Sequence, residues 1–244
     1  FFGFSEWGLS LPVAGLVSLV VTACLGVAIE RIAYKPLRNA PRISALISAL
    51  GVSLFIQYFS SLKFVFGPNY RIVYPPLELV QWNLGGINIT NIQVIIFAVV
   101  LFLLVGLQYL VYHTEFGMAM RTVSYDAHVA RLMGINVDYV ISMTFALGSA
   151  LAAAGGMLYM LAYPQIHPFM GSMPGLKAFV AAVLGGIGII PGAVLGSLIM
   201  GQVETLTVAF VSSQLRDAVA FGVLILVLLI RPTGILGKRT VDKV

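Results

Sequence analysis

From Tyr139 to Leu215 the chain carries only two charged residues, Lys177 and Glu204. A stretch so long and so apolar belongs in lipid or a buried core, because a soluble domain must clothe its surface with polar groups. The rest of the sequence agrees: of 244 residues, 59% are hydrophobic and 9% charged. Runs of about 20 apolar residues, each rising about 1.5 Å as helix, match a hydrocarbon core of roughly 30 Å. These runs are continuous and do not alternate, which selects helices over a barrel. The pattern predicts an all-α, polytopic helical membrane protein forming one transmembrane domain over residues 1–244.

Spans are expected at 9–29, 43–62, 89–111, 139–163 and 218–230. Residues 175–210 are too long for one span and are interrupted by Gly185, Gly186, Gly188, Pro191 and Gly192, so two short helices joined by a tight break are expected there. That makes about seven spanning or half-spanning helices in all. The net charge of +5 is read as topology, not as a nucleic-acid signal. Arg31, Lys35, Arg38 and Arg42 cluster in the loop expected at 30–42, and Arg231, Lys238, Arg239 and Lys243 follow the last span. Basic loops stay inside, so both clusters and the C-terminus are assigned to the cytoplasm. Tyr70, Tyr74 and Trp82, in the opposite loop at 63–88, suit an interfacial aromatic belt.

Between the third and fourth spans lies HTEFGMAMRTVSYDAHVARLMGINVD, hydrophilic yet patterned like a folded element. Ser124 is placed to cap a short helix, with Asp126 in its first turn where the helix dipole favours negative charge. Gly134 stands where a helix ending at Met133 needs a left-handed residue. Val123, Ala127, Ala130 and Gly134 recur at helical spacing, predicting a small, flat face offered to a partner. Counting spans from the basic loops puts this segment in the cytoplasm.

Few residues suggest chemistry. His113, His128 and His167 are scattered without metal-ligand spacing, and no Ser/His/Asp or Cys/His set is present, so no enzymatic site is expected. A lone Cys24 excludes an intrachain disulfide. GGIGIIPG lacks the Lys-Ser/Thr of a P-loop; as a broken helix it is a candidate pathway lining through Gly185, Gly186, Gly188, Pro191 and Gly192. Lys177 and Glu204 are expected near helix ends, where they can snorkel, and Glu30 is expected to pair with Arg31. Two glycine and alanine stripes, Gly148/Ala152/Gly156 and Gly188/Gly192/Gly196, predict close helix packing within this chain or against another subunit.

The runs ERIAYKPLRNAPRISALISALGVSLFIQ, FGMAMRTVSYDAHVARLMGIN, GLKAFVAAVLGGIGIIPGAVLGSLIMGQVE and LIRPTGILG resemble the LivH-type permeases of branched-chain amino acid ABC importers, in order along nearly the whole chain. The resemblance implies a bacterial or archaeal cytoplasmic membrane protein that imports leucine, isoleucine and valine. It implies no cofactor in this chain, with ATP and Mg used by cytoplasmic ATPase subunits. It also implies a related second permease, as homodimer or heterodimer, and a periplasmic or extracellular binding protein as partners. The segment at about 112–138 would be the coupling loop. Ser124, Asp126, Ala127, His128, Ala130, Arg131 and Gly134 would serve the ATPase, with His128-Val129-Ala130 at the Glu-Ala-Ala positions of the docking motif and Gly134 closing it. The motif's initial Glu and its Ile-x-Leu-Pro are absent. Relatives begin with a further hydrophobic region, so N-terminal helices are expected to precede Phe1. Related permeases for urea, amides or other amino acids, an ion-coupled secondary transporter, and a membrane scaffold are the competing readings.

Overall fold

The computed structural model describes residues 8, 10–38, 40–72, 80–84 and 87–237; Phe1, Tyr74, Lys238, Arg239 and Lys243 lie outside the described residues. Six helices there are long and apolar enough to cross a membrane: Pro12–Leu37, Ile43–Ser60, Asn91–His113, Val137–Ala162, Ile190–Phe210 and Ser213–Ile230. A seventh apolar helix, Ser172–Gly185, is shorter. The chain divides into two compact units, Phe1–Phe169 and Met170–Val244.

In the first unit, α1 (Leu11–Ile29) does not stop at the basic stretch as expected. It continues into a π turn, Glu30–Tyr34, and a 3-10 turn, Lys35–Leu37. The Lys35 amide reaches back to the Glu30 carbonyl, and the widened turn passes the chain to Pro36, which has no N–H for an α-helical bond. α2 (Arg42–Ser60) follows Pro41, which sits at its N-cap. Short strands come next: β1 (Arg71–Ile72), β2 (Gln81–Leu84) and β3 (Ile87–Thr90). β2 and β3 form an antiparallel hairpin with Gln81 opposite Thr90. The hairpin leads into α3 (Asn91–His113), whose start is fixed by reciprocal hydrogen bonds between Thr90 and Gln93, a capping box. Two shorter helices, α4 (Glu115–Tyr125) and α5 (Ala127–Leu132), precede α6 (Val137–Ala162).

α1 packs along α6. The approach is close at Gly26, where a Cβ would collide with the Ser149 side chain and press on the Phe145 carbonyl. Beyond α6, β4 (Gln165–Ile166) pairs antiparallel with β1, Arg71 opposite Ile166. The Tyr70 ring lies 4.7 Å from that of His167, beside the same strand pair.

The second unit is a hairpin of α7 (Ser172–Gly185) and α8 (Ile190–Phe210), followed by α9 (Arg216–Ile230). The expected pair of short helices is therefore one short and one full-length helix. Val180, Ala181, Met200 and Ala220 form its core, with Phe221 and Leu224 packed on them. The hairpin closes because α7 and α8 touch backbone to backbone. A Cβ on Gly185 would strike the Gly192 carbonyl, and one on Gly196 would strike that of Ala181. The chain after α9 then returns to the end of α7, where Ile235 N–H donates to the Leu184 carbonyl at 2.9 Å and Leu236 N–H to that of Gly185 at 3.1 Å. These bonds satisfy carbonyls that the helix end would otherwise leave unpaired. Of the two small-residue stripes, Gly192 and Gly196 pack within the chain, whereas a Cβ on Gly148 or Gly156 would meet open space.

Overpacking a tight helix crossing costs about 1–3 kcal/mol or more. Gly185→Val should therefore lower the thermal midpoint of the detergent-solubilised protein, while Gly148→Val, on an open face, should leave it unchanged. Equal midpoints for both variants would contradict the assigned packing.

Candidate functional site

The stretch from Thr114 to Asn136 consists of α4, α5 and the turns that join them to α3 and α6. Each turn is closed by a side chain. Thr114 is extended (φ −111°, ψ 156°), ends α3 and begins α4; its hydroxyl donates to the Leu110 carbonyl and accepts from Gly117 N–H at 3.1 Å. Glu115 lies in the first turn of α4, where the dipole favours it. Gly117 is buried, and a Cβ there would collide with the carbonyls of Leu110 and Val111. Only glycine lets α4 fold back so sharply on the end of α3.

Asp126 (φ −154°, ψ 109°) stops α4 and caps α5. Its Oδ1 accepts from His128 N–H at 2.7 Å and Val129 N–H at 3.1 Å. The Val129 and His128 amides together hold its carboxyl below the usual carboxylate range. The cap is thus Asp126, and not Ser124: Ser124 lies inside α4, and its hydroxyl donates to the Arg121 carbonyl at 2.8 Å. α5 ends in a Schellman turn, with Gly134 at φ +82°, Gly134 N–H on the Arg131 carbonyl and Ile135 N–H on the Ala130 carbonyl. Gly134 therefore fills the role its position predicts. Asn136 caps α6 through Oδ1 to Tyr139 N–H at 3.1 Å.

A six-residue helix has no stability of its own. α5 is held by these caps and by Ala130, which is 0% exposed. The expected small face is corrected by this burial. Val123 and Ala127 belong to different helices, and Ala130 turns inward. What points outward is larger and apolar: Tyr125 at 95% exposure, with Leu132, Met133, Val129 and Met118. Met118, Arg121, Thr122, Tyr125, Asp126 and Val129 line an open groove of 430 Å³. Ala127, His128, Arg131 and Gly134 are also exposed.

The segment is tied at its far end to α1. Arg38 donates one guanidinium nitrogen to Glu30 and the other to Asp138, in the first turn of α6. Ser142 donates to the second oxygen of Glu30 at 2.7 Å, and Lys35 lies 3.1 Å from the second oxygen of Asp138. Glu30 is 0% exposed. Its partner is Arg38 and not the expected Arg31, because adjacent helical residues point to different faces. Removing one partner from a buried ion pair costs about 3–5 kcal/mol.

In the second unit, Lys177 contacts Glu204 at 3.0 Å and Asp217 at 2.7 Å, and Arg216 contacts Glu204 at 2.7 Å. Lys177 and Glu204 are thus paired across α7, α8 and α9, where snorkelling was expected. Of the candidate pathway residues, Gly185, Gly186 and Gly192 are buried in the hairpin, and Gly188 and Pro191 are exposed. Among the described residues no group of three His, Cys, Asp or Glu could hold a metal ion.

Residues 4–228 match a family model described as the permease component of the branched-chain amino acid transport system. The chain belongs to this permease family. Over 245 residues it is 43% identical to the high-affinity branched-chain amino acid transport system permease protein LivH of Escherichia coli (strain K12), covering 98% of this chain and 79% of that one. It is 39% identical to the permease protein BraD of Pseudomonas aeruginosa over 257 residues, 99% of this chain and 80% of the relative. A probable LivH of Methanocaldococcus jannaschii is 32% identical, covering 94% of this chain and 74% of that one. No solved structure matches. The residues that shape or face out from this segment and that the sequence did not single out are Thr114, Gly117, Tyr125, Leu132, Met133 and Asn136. Thr114 and Asn136 carried a readable signal, each being a capping residue just before a helical run.

The depressed carboxyl of Asp126 gives a pH test. A folded value below the unfolded one contributes stability above the ordinary Asp value of about 3.9, lost as pH falls through the folded value. Protection factors of the His128 and Val129 amides should be high at neutral pH and fall in that acid window. In Asp126→Ala those amides should be unprotected at pH 7 and show no such transition.

Proposed function

We propose that this chain is the transmembrane permease subunit of an ATP-driven importer of branched-chain amino acids, and that it takes its driving force through α4 and α5. The observation that carries the proposal is the outward apolar set Tyr125, Val129, Leu132 and Met133 on a segment held by three side-chain caps. Apolar surface of this kind, outside the candidate spans, calls for a protein partner. A cytoplasmic ATPase subunit, where ATP and Mg are used, receives it. Tyr125, Leu132 and Met133 are the anchors; Asp126, Ala127, His128, Arg131 and Gly134 surround them, Ala130 seats the helix from beneath, and Ser124 lies on the adjoining end of α4. The basic cluster of Arg31, Lys35, Arg38 and Arg42 is assigned to the same, cytoplasmic side as this segment, from which two spans separate it. A binding protein delivers substrate to the opposite face, and a second, related permease completes the pathway, to which the exposed Gly188 and Pro191 contribute.

Alternation between outward- and inward-facing states then follows from differential contacts of the ATPase with the two positions of α5. The ion-coupled alternative needs a free buried carboxylate. Glu204 is held by Lys177 and Arg216, which disfavours it in that role.

Central apolar anchors of an interface carry about 2 kcal/mol or more each, so Leu132→Glu should reduce ATP-driven leucine uptake at least about tenfold. Membrane levels should be normal, and co-purification of the ATPase should be lost. Wild-type uptake with the ATPase retained would contradict the docking assignment.

A further inference from the structure

The cluster around Arg38 lies where the proposed drive segment meets the first helix. Glu30 and Asp138 stand 108 residues apart, and Arg38 bridges them, one guanidinium nitrogen on each. Both oxygens of each carboxylate are engaged, by Arg38 and Ser142 on Glu30 and by Arg38 and Lys35 on Asp138. Asp138 lies two residues after the Asn136 cap, and the Schellman turn at Gly134 joins that cap to α5. The backbone between α5 and Asp138 therefore has no slack. On the other side, Glu30 opens the π turn that connects α1 to the 3-10 turn before Arg38. π turns inside helices recur at functional sites, and here the Arg38–Glu30 contact spans the π turn from end to end.

We infer that Arg38 is a positioning residue that makes the end of α1 follow α5, so that displacement of the docking helix reaches the membrane-spanning part of the chain and is not absorbed in the turns. The inference rests on the functional reading above. A planar guanidinium suits this task because its two nitrogens address two carboxylates in fixed directions; a lysine ammonium is a single point on a flexible stem. Glu30, fully enclosed, anchors the fork, and the half-exposed Asp138 is the end that moves with α6.

The test compares ATP hydrolysis with leucine uptake in the same proteoliposomes, using the complete transporter with its ATPase subunits and binding protein. Arg38→Met should leave hydrolysis near wild type while the ATP consumed per leucine imported rises about tenfold, within the usual range of coupling free energies. Arg38→Lys should fall between the two. A merely stabilising role would change abundance and melting temperature and leave that ratio as it was. An unchanged ratio in Arg38→Met, with wild-type transport intact, overturns the assignment of Arg38 alone. If Arg38→Met does not accumulate, Asp138→Asn keeps the enclosed Glu30–Arg38 pair and reads the same ratio; a rise supports the inference and no change overturns it. Wild-type vesicles that hydrolyse ATP without importing leucine would overturn the functional reading itself.

Discussion

A peptide N–H or C=O left without a partner away from water costs several kcal/mol, and the arrangement of this chain follows from avoiding that loss. Within helices the bonds are automatic; at every reversal something else must supply them. Thr114 serves the end of one helix and the start of the next with a single hydroxyl. Asp126 and Asn136 accept from the first-turn amides of α5 and α6 and so serve the starts of those helices. Where α7 ends, the chain supplies its own strap, the Ile235 and Leu236 amides bonding to the Leu184 and Gly185 carbonyls. Turns satisfied this way are stiff, and stiffness is what a segment needs if it is to transmit a push.

Charge is used for a second kind of fastening. The described spans carry few ionisable groups, and the ones that are enclosed are paired between elements distant in sequence. Arg38 joins α1 to α6 through Glu30 and Asp138, while Lys177 joins α7 to α8 and α9 through Glu204 and Asp217. Both oxygens of Glu30, Asp138 and Glu204 are engaged by partners within these clusters. Both clusters hold helices in register, and the first does so at the edge of the segment we assign to the ATPase.

The spans were legible because apolar length alone dictates them, and Gly134 because a left-handed residue was needed after Met133. The glycines of the α7–α8 break were legible as a break, and their close packing followed from the hairpin. Three features were not. Helix continues through Glu30–Leu37 because a π turn bridges to Pro36, and side-chain spacing does not announce a π turn. The outward face of α5 was legible only in part, since local periodicity finds a stripe but only tertiary burial decides that Ala130 faces in and Leu132 faces out. The ion pairs joined residues whose proximity depends on α1 packing along α6 and on the α7–α8 hairpin, which no local pattern encodes.

The central claim is that force enters through the apolar tip of α4 and α5. Placing a photo-activatable phenylalanine analogue at Tyr125 or Leu132 in the full transporter in cells tests it directly, with Phe102, exposed on the flank of α3, as the lipid-facing control. The account predicts ATPase adducts from Tyr125 and Leu132 and none from Phe102. ATPase adducts from other loops of the chain, with none from Tyr125 or Leu132, would contradict it.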